Sequence, residues 1–239
     1  GHTHGYSRGQ SRDHRHLWVN VATAGGNIDY WGEYAQTDYD EFTVSHDEYG
    51  FVLVDIEAGE DPWFLGKMGA AFTQGAQQTV PACAKHVAGN NSEDNRQTHN
   101  AIIDEQNLRE NYMRQYRMII EDADVACVMA AYNKVNGAYS AENSHLLRDI
   151  LKNEWGYDGF VVSDWYATHS TEASVIAGLD VEMPWRNHYG ELKAAVETGA
   201  IDEALVDDAV TRILRVKYKF GIADLENNPE AYLGHLEAF

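Results

Sequence analysis

The sequence predicts an α/β protein built as a TIM-like (β/α) barrel that is incomplete or atypical in its N-terminal third. From about residue 60 amphipathic helices alternate with short apolar strands, a pattern typical of a parallel sheet or barrel. Four of the predicted strands end in polar or charged residues, and parallel strands bring such ends to one rim. A length of 239 residues allows one large domain or two small ones.

The composition narrows the possible functions. The chain has 18 basic and 38 acidic residues, a formal net charge of −20, and this field repels phosphate backbones. We therefore expect no nucleic-acid partner. The sequence contains no run of 18 apolar residues, so we predict no membrane span. A hydrophobic content of 44% is enough for a substantial core.

Residues 1–59 form a divergent N-terminal region to which we assign no chemistry. Its first 20 or so residues are polar and predict a mobile tail, with a metal site on His-x-His pairs as the alternative. The histidines concerned are His2, His4, His14 and His16. Strand-like runs occur at 17–21 and 51–54.

The elements beyond residue 60 follow from periodicity and capping residues. A helix over 61–77 opens at Asp61-Pro62, and Asp104 is the expected N-cap of a helix over 105–121. The apolar side of the first helix carries Phe64, Met68, Ala71 and Phe72. Further helices are predicted at 144–155, 170–177, 189–198 and 202–219. Strands are predicted at 80–86, 125–132, 160–164 and 179–183.

Two of these elements carry features of a buried core. The helix over 144–155 has one broad apolar stripe, formed by Leu146, Leu147, Ile150 and Leu151. Cys83 and Cys127 both lie in apolar strand-like runs, and we interpret them as buried thiols rather than as a disulfide.

The polar strand ends predict a pocket. An ionised group at the end of an apolar strand is costly unless it faces a cleft, and Asp164 follows the apolar run Phe160–Val162 after the single residue Ser163. The converging side chains are Lys85, His86, Tyr132, Asp164 and Trp165. We interpret Asp180 and Glu182, at the end of the next strand, as structural.

This set of side chains favours a neutral, polyhydroxylated ligand. Charged groups hydrogen-bond hydroxyls, and the apolar face of a sugar ring stacks on an indole. The sequence has neither a glycine-rich phosphate loop nor a Cys/His cluster with the spacing of a structural metal site. We therefore predict no cofactor and no metal.

Five ordered motifs resemble glycoside hydrolase family 3 over about residues 60–225. They are Lys85–Asn91 with Asn95-Arg96, Asp104–Glu110, Val128–Gly137, Gly156–Trp165 and Gly178–Pro184. The final helix, ending near Gly221, resembles the end of that family's first domain.

The resemblance implies a retaining β-glycosidase, most often a β-glucosidase, which hydrolyses terminal sugars of a β-linked glucoside or oligosaccharide. Asp164 matches the nucleophile that forms a covalent glycosyl-aspartate. Lys85, His86 and Arg96 match residues that bind sugar hydroxyls, and Lys85 and Arg96 are expected to lower the pKa of Asp164. The other matched positions line the wall beside the nucleophile or the next sugar subsite: Met129, Tyr132 and Trp165.

Two departures from the family pattern leave other functions open. The family's sugar-binding arginine has no counterpart in Phe51–Ile56, and its acid/base glutamate comes from a second domain that would begin at the predicted tail or linker, 226–239. We find no acid/base residue in this chain, so three readings stay open: the chain is a fragment, a second chain or a homo-oligomer completes the site, or the proton donor is unusual. The alternatives are a non-catalytic or fragmentary sugar-binding subunit and a β-N-acetylglucosaminidase that uses His99 and Asp94.

Overall fold

The computed structural model describes residues 61–223 and four strands that precede them, at 6–10, 17–20, 42–46 and 52–55. The chain divides into two compact units, the first made of Gly1–Val52 with Ala223–Phe239 and the second of Leu53–Ile222. The predicted tail or linker at 226–239 lies outside the described residues, as do His2, His4, His14 and His16.

The first unit contains a three-stranded antiparallel sheet. Its strands are β1 (Tyr6–Gln10), β2 (Leu17–Asn20) and β3 (Phe42–His46), with β1 paired to both of the others. The predicted strand at 17–21 is confirmed. The prediction of a mobile tail over the first 20 residues is wrong for β1 and β2, because these residues satisfy one another's backbone groups in a ladder.

The second unit alternates strands and helices as predicted. Its strands are β4 (Val52–Asp55), β5 (Ala82–Val87), β6 (Asn100–Ala101), β7 (Cys127–Ala130), β8 (Lys134–Val135), β9 (Ala138–Tyr139) and β10 (Phe160–Ser163). Its α-helices are α1 (Pro62–Ala76), α2 (Glu105–Asn107), α3 (Arg114–Ala123), α4 (Glu172–Ala177), α5 (Leu192–Glu197) and α6 (Glu203–Lys219). Two π-helical segments, Leu108–Tyr112 and His145–Glu154, and two 3₁₀ turns, Ser140–Glu142 and Tyr189–Glu191, complete it.

Four strands form the sheet that positions the site. Their order is β4-β5-β7-β10, and β7 runs parallel to both β5 and β10. The register sets Lys85 and Val162 on either side of Met129. The predicted strand at 179–183 is reduced to one parallel bridge between Val162 and Val181, because the residues beyond it turn into a loop. The α/β class is confirmed.

Helix α1 buries its small residues and exposes its large apolar ones. Phe64, Met68 and Phe72 are largely exposed, whereas the small residues of the helix are buried: Gly66, Gly69, Ala70 and Thr73. The small face is buried because it allows α3 to approach closely, and a Cβ on Gly66 would lie 2.6 Å from Met118 Sδ. The apolar side of this helix therefore does not face the core.

The predicted helix over 105–121 is present in three pieces. Asp104 caps its start as predicted, because the carboxylate accepts the Asn107 N–H at 2.9 Å. A π-helical turn at Leu108–Tyr112 then separates α2 from α3. This inserted turn changes the helix phase, and Leu108, Tyr116 and Ile119 are nevertheless all buried.

The core on one face of the sheet is closed by α6. Val216 of this helix packs in one cluster with Cys83, Ala126, Cys127, Phe160 and Val162. Both cysteines are buried free thiols, as predicted. The predicted stripe of the helix at His145–Glu154 is also confirmed, since Leu146, Leu147, Ile150 and Leu151 are fully buried.

Replacing Gly159 with alanine should destabilise the second unit. A Cβ there would lie 2.6 Å from the Ala126 carbonyl oxygen and closer still to the Tyr157 hydroxyl, and the backbone carbonyl cannot move without disturbing the sheet. We expect Gly159→Ala to lower the free energy of unfolding by about 1–3 kcal/mol, measured by urea denaturation. Gly75→Ala is the matched control, because its Cβ meets no atom within 4 Å. Equal midpoints for Gly159→Ala and the parent chain would contradict the expectation.

Candidate active site

The carboxyl ends of β5, β7 and β10 carry the predicted site residues. Lys85 and His86 lie near the carboxyl end of β5, and Asp164 directly follows β10. The Asp164 N–H donates to the Ala130 carbonyl at 3.2 Å, which carries the pairing of β10 and β7 one residue beyond the strand. Tyr132 follows β7 by two residues. The sheet therefore brings residues from three separate motifs to one edge.

A chain of close polar contacts joins Lys85, His86 and Asp164. Lys85 Nζ lies 3.1 Å from His86 Nε2, and that nitrogen lies 3.2 Å from Asp164 Oδ2. One ring nitrogen cannot accept a proton from Lys85 and donate one to Asp164 at the same time, so the protonation of Nε2 selects between the two bonds. The side chains of His86 and Asp164 are only 9% and 13% exposed, which strengthens their interaction.

The environment of Asp164 keeps its carboxylate ionised. Burial acts to raise its pKa, but the hydrogen bond from His86, the Trp165 N–H and the bond from Tyr132 outweigh burial and lower the pKa below its usual value. The Trp165 N–H donates to Asp164 Oδ1 at 2.7 Å. The ionised carboxylate is the form that can attack as a nucleophile.

The largest stabilising contributions to Asp164 differ from those expected. Lys85 contacts His86, and Arg96 pairs with Glu93 Oε2 at 2.6 Å, so neither cation is the main partner of the carboxylate. The main causes of the lowered pKa of Asp164 are instead the bonds from His86, the Trp165 N–H and Tyr132.

Tyr132 stands beside the carboxylate as a hydrogen-bond donor. Burial, the negative charge of Asp164 and the hydrogen bond to it together raise the pKa of Tyr132 to about 12. Its hydroxyl is therefore protonated at neutral pH and donates to Asp164. The guanidinium of Arg96 lies 4.9 Å from the centre of the Tyr132 ring, which is a cation–π contact.

The two remaining predicted residues differ in exposure. Trp165 is 47% exposed, so its indole is accessible to a ligand. Met129 is partly buried and packs against the apolar cluster under the sheet, next to Lys85 in the register.

Asp180 and Glu182 have structural roles, as predicted from the sequence. Asp180 accepts from Lys152 Nζ at 2.6 Å and from the Val161 N–H at 2.7 Å. Glu182 accepts the N–H groups of the loop that follows it. Both carboxylates are thus occupied in holding the backbone.

Tyr116 supports the site and was not singled out from the sequence. Its hydroxyl donates to the His86 carbonyl at 2.7 Å, which fixes the backbone of that residue from α3. A buried tyrosine on a helix face requires a partner for its hydroxyl, and this requirement was the available signal. Lys85-His86 and Val87-Ala88 are both cis peptide bonds.

The described residues offer no metal centre. Among residues 61–223 no three His, Cys, Asp or Glu side chains are grouped so that they can hold an ion. In the same part of the chain, no helix has the length and apolar character needed to cross a bilayer.

Comparison with known proteins identifies the family. The family model described as "Glycosyl hydrolase family 3 N terminal domain" matches residues 57–216, which is more than half of the chain. This chain belongs to glycoside hydrolase family 3.

Relatives and solved structures agree with this assignment. The chain is 43% identical over 174 residues to thermostable beta-glucosidase B of Acetivibrio thermocellus, covering 72% of this chain and 22% of that protein. It is 42% identical over 165 residues to a beta-glucosidase of Rhizobium radiobacter, covering 68% and 20%. Beta-glucosidase 3B from Thermotoga neapolitana in complex with glucose aligns with a TM-score of 0.69 at 33% identity, covering 77% of this chain and 30% of that one. The chain therefore spans about a fifth of the length of these curated relatives.

Proposed function

We propose that the second unit is the barrel portion of a retaining β-glucosidase-like hydrolase, with Asp164 as the nucleophile. The observation that carries the proposal is the buried, ionised Asp164 held by His86 at the end of β10. The beta-glucosidase names of the similar proteins support glucosides as the substrate class. They also favour this activity over the removal of N-acetylglucosamine by His99 and Asp94.

The proposed reaction begins with attack of Asp164 on the anomeric carbon. The bond to the leaving group breaks as the bond to the carboxylate oxygen forms, and water later hydrolyses the glycosyl-aspartate. Tyr132 and His86 orient the carboxylate through hydrogen bonds. In the proposed complex Lys85, His86 and Arg96 bind sugar hydroxyls, Met129 lines the wall, and Trp165 stacks on the next sugar.

The fold proposed for the family portion is a TIM-like barrel. The second unit of the chain supplies a set of adjacent parallel strands to it. We propose 60–225 as the family portion, 1–59 as a divergent region and 226–239 as a tail or linker toward a further domain. The proton donor would come from another domain or another chain, because the carboxylates that follow the next strand, Asp180 and Glu182, are already engaged in structural bonds.

A covalent trap tests this function. The chain is incubated with a 2-deoxy-2-fluoro-β-glucoside that has a good leaving group, and the intact mass is measured. We expect a gain of one fluoroglucosyl group, located by peptide mapping on the segment that ends β10. Absence of labelling, under conditions in which a related β-glucosidase is labelled, would overturn the proposal.

A second candidate function is sugar binding without turnover, because Asp180 and Glu182, the carboxylates that follow the next strand, are engaged in structural bonds and are not available as proton donors. The dependence of the release rate on the leaving group separates hydrolysis from binding without turnover. A dinitrophenolate leaving group departs with little protonation, whereas the leaving group of a nitrophenyl or methyl glucoside needs more. Release of dinitrophenolate alone identifies a competent nucleophile without its proton donor. Sugar binding with no release from either substrate identifies the non-catalytic subunit.

Replacing His86 with phenylalanine should raise the pKa of Asp164. The His86 hydrogen bond is the largest of the contributions that lower this pKa, and burial, which raises it, remains in the variant. We therefore expect the acidic limit of covalent labelling to move to higher pH. The rate of labelling against pH measures this, with Tyr112→Phe as a control that lies on the helix segment before α3. An unchanged acidic limit in His86→Phe would contradict the assigned cause.

A further inference from the structure

His86 lies at an irregular position in the strand that presents it. The residues on either side of it, Lys85 and Val87, pair with two consecutive residues of β7, so His86 is an extra residue in the register. A bulge of this kind re-aims a side chain and takes its residue out of the regular ladder. The position of His86 therefore depends on contacts from outside the sheet.

Tyr116 of α3 supplies such a contact. Its hydroxyl donates to the His86 carbonyl at 2.7 Å, and its side chain is buried, so the bond is shielded from water. A buried backbone carbonyl requires a donor, and here the donor belongs to a helix rather than to a neighbouring strand. The hydroxyl thus holds the bulge by its backbone, next to the imidazole ring.

Helix α3 is braced at both ends, which makes it a firm support for this hydroxyl. At its start Gln115 Nε2 donates to the Tyr112 carbonyl at 3.1 Å, where the π-helical turn ends. Near its other end Asp122 accepts from Lys67 Nζ of α1 at 2.7 Å. The π-helical turn sets the rotational phase with which α3 begins, and that phase directs Tyr116 toward β5.

The contact that this arrangement controls is close to the limit of a hydrogen bond. His86 Nε2 lies 3.2 Å from Asp164 Oδ2, at the long end of the range for an N–H···O bond. A displacement of the His86 backbone by about 0.5 Å is therefore enough to lose the bond. Burial raises the pKa of Asp164, and the bond from His86 is the largest of the contributions that lower it.

Other titratable and charged groups act on the side chains of this pair rather than on the His86 carbonyl. In the described part of the chain they are Lys85, Tyr132, Arg96 and Glu93. Lys85 contacts the imidazole and Tyr132 the carboxylate, whereas Arg96 contacts the Tyr132 ring and pairs with Glu93. None of these groups is altered by a change at Tyr116, so the effect of its hydroxyl can be measured separately.

We propose that Tyr116 is a positioning residue for the reaction, which holds His86 in hydrogen-bond contact with the nucleophile by way of the His86 carbonyl. The inference rests on the proposed function, because it takes Asp164 as that nucleophile. The Tyr116 side chain is buried on α3, so it acts through His86 and not on the sugar. Loss of its hydroxyl alone changes the pH dependence of the reaction, while the ring still fills the core.

Replacing Tyr116 with phenylalanine tests the inference. We expect the acidic limit of covalent labelling by the fluoroglucoside to move to higher pH by about 0.5–1 pH unit, because Asp164 takes up a proton more readily once the bond from His86 weakens. The double variant His86→Phe/Tyr116→Phe should move the limit no further than His86→Phe does. This absence of additivity is expected of a residue that acts through His86.

Tyr157→Phe is the matched control. Tyr157 is also buried, and its hydroxyl also donates to a strand carbonyl, that of Phe160 at 3.2 Å. This carbonyl lies at the amino end of β10, whereas Asp164 follows the carboxyl end. Both variants should lower the urea midpoint, because each loses one buried hydrogen bond. Only Tyr116→Phe should move the acidic limit of labelling.

A second readout separates the inference from the function beneath it. Carbon-13 NMR follows the titration of the Asp164 carboxyl without any turnover, with Asp164→Asn to assign the signal. If the parent chain is labelled but Tyr116→Phe moves neither the acidic limit nor the carboxyl midpoint more than Tyr157→Phe does, the inference is overturned and the function stands. If the parent chain is not labelled but the midpoint rises in Tyr116→Phe, the function falls and the hold on His86 is confirmed.

Two further outcomes would overturn the inference. Additive shifts in the double variant would show that Tyr116 acts on Asp164 by another route than His86. Unfolding of Tyr116→Phe under conditions in which Tyr157→Phe stays folded would show that the hydroxyl serves the core rather than the site.

Discussion

Replacing Asp164 with asparagine should abolish covalent labelling by the fluoroglucoside and reduce any glucoside turnover by on the order of 10³-fold or more. A neutral amide cannot form the glycosyl-enzyme, and it lacks the charge that His86 and the Trp165 N–H are arranged to stabilise. Intact mass spectrometry after incubation with the trap gives the first result. The release of dinitrophenolate gives the second.

Asp158→Asn is the matched control for this prediction. Asp158 is exposed and lies just before the same strand, at the end opposite to Asp164, so the same chemical change there should leave labelling intact. Labelling of Asp164→Asn at the parent rate would show that another residue attacks the sugar.

Replacing Lys152 with methionine should lower the free energy of unfolding by about 3–5 kcal/mol, because it leaves a buried carboxylate without its partner. Lys152 Nζ lies 2.6 Å from Asp180 Oδ1, and the two side chains are only 3% and 2% exposed. Burial lowers the pKa of Lys152 and raises that of Asp180, so each charge depends on the other. Urea denaturation of the full chain, followed by tryptophan fluorescence, measures the loss.

The double variant Lys152→Met/Asp180→Asn tests the physical reason for this loss. Removing both charges leaves no uncompensated ion, and the asparagine can still accept the Val161 N–H that Asp180 Oδ2 accepts at 2.7 Å. We therefore expect the double variant to regain much of the stability. A loss of less than 1 kcal/mol in the single variant, or no recovery in the double, would contradict the explanation.

The sequence was a good guide where a residue's role depends on its neighbours in the chain. The stripe of Leu146, Leu147, Ile150 and Leu151 is buried as the spacing predicts. Asp104 caps the next helix as its position predicts. These roles depend on side chains one or two turns apart, which are separated by a fixed geometry.

The sequence misled where two faces of one helix competed for burial. In α1 the aromatic side chains are exposed, and Gly66, Gly69 and Ala70 are buried because α3 packs closely against them. Hydrophobicity alone ranks the aromatic side first, whereas close packing rewards the side on which the neighbouring backbone can approach. The π-helical turns were missed for a related reason, since their extra residue is accommodated by tertiary packing.

The sequence by itself determined the family, the parallel strands and the carboxylate that ends β10, because each is written in contiguous motifs. Only the tertiary structure decided which partner each carboxylate has. Asp164 lies beside His86 and Tyr132, whereas Asp180 lies beside Lys152 in the core, although both aspartates belong to predicted strands. Electrostatic interactions depend on distances between segments far apart in the chain, and those distances exist only after the strands have paired.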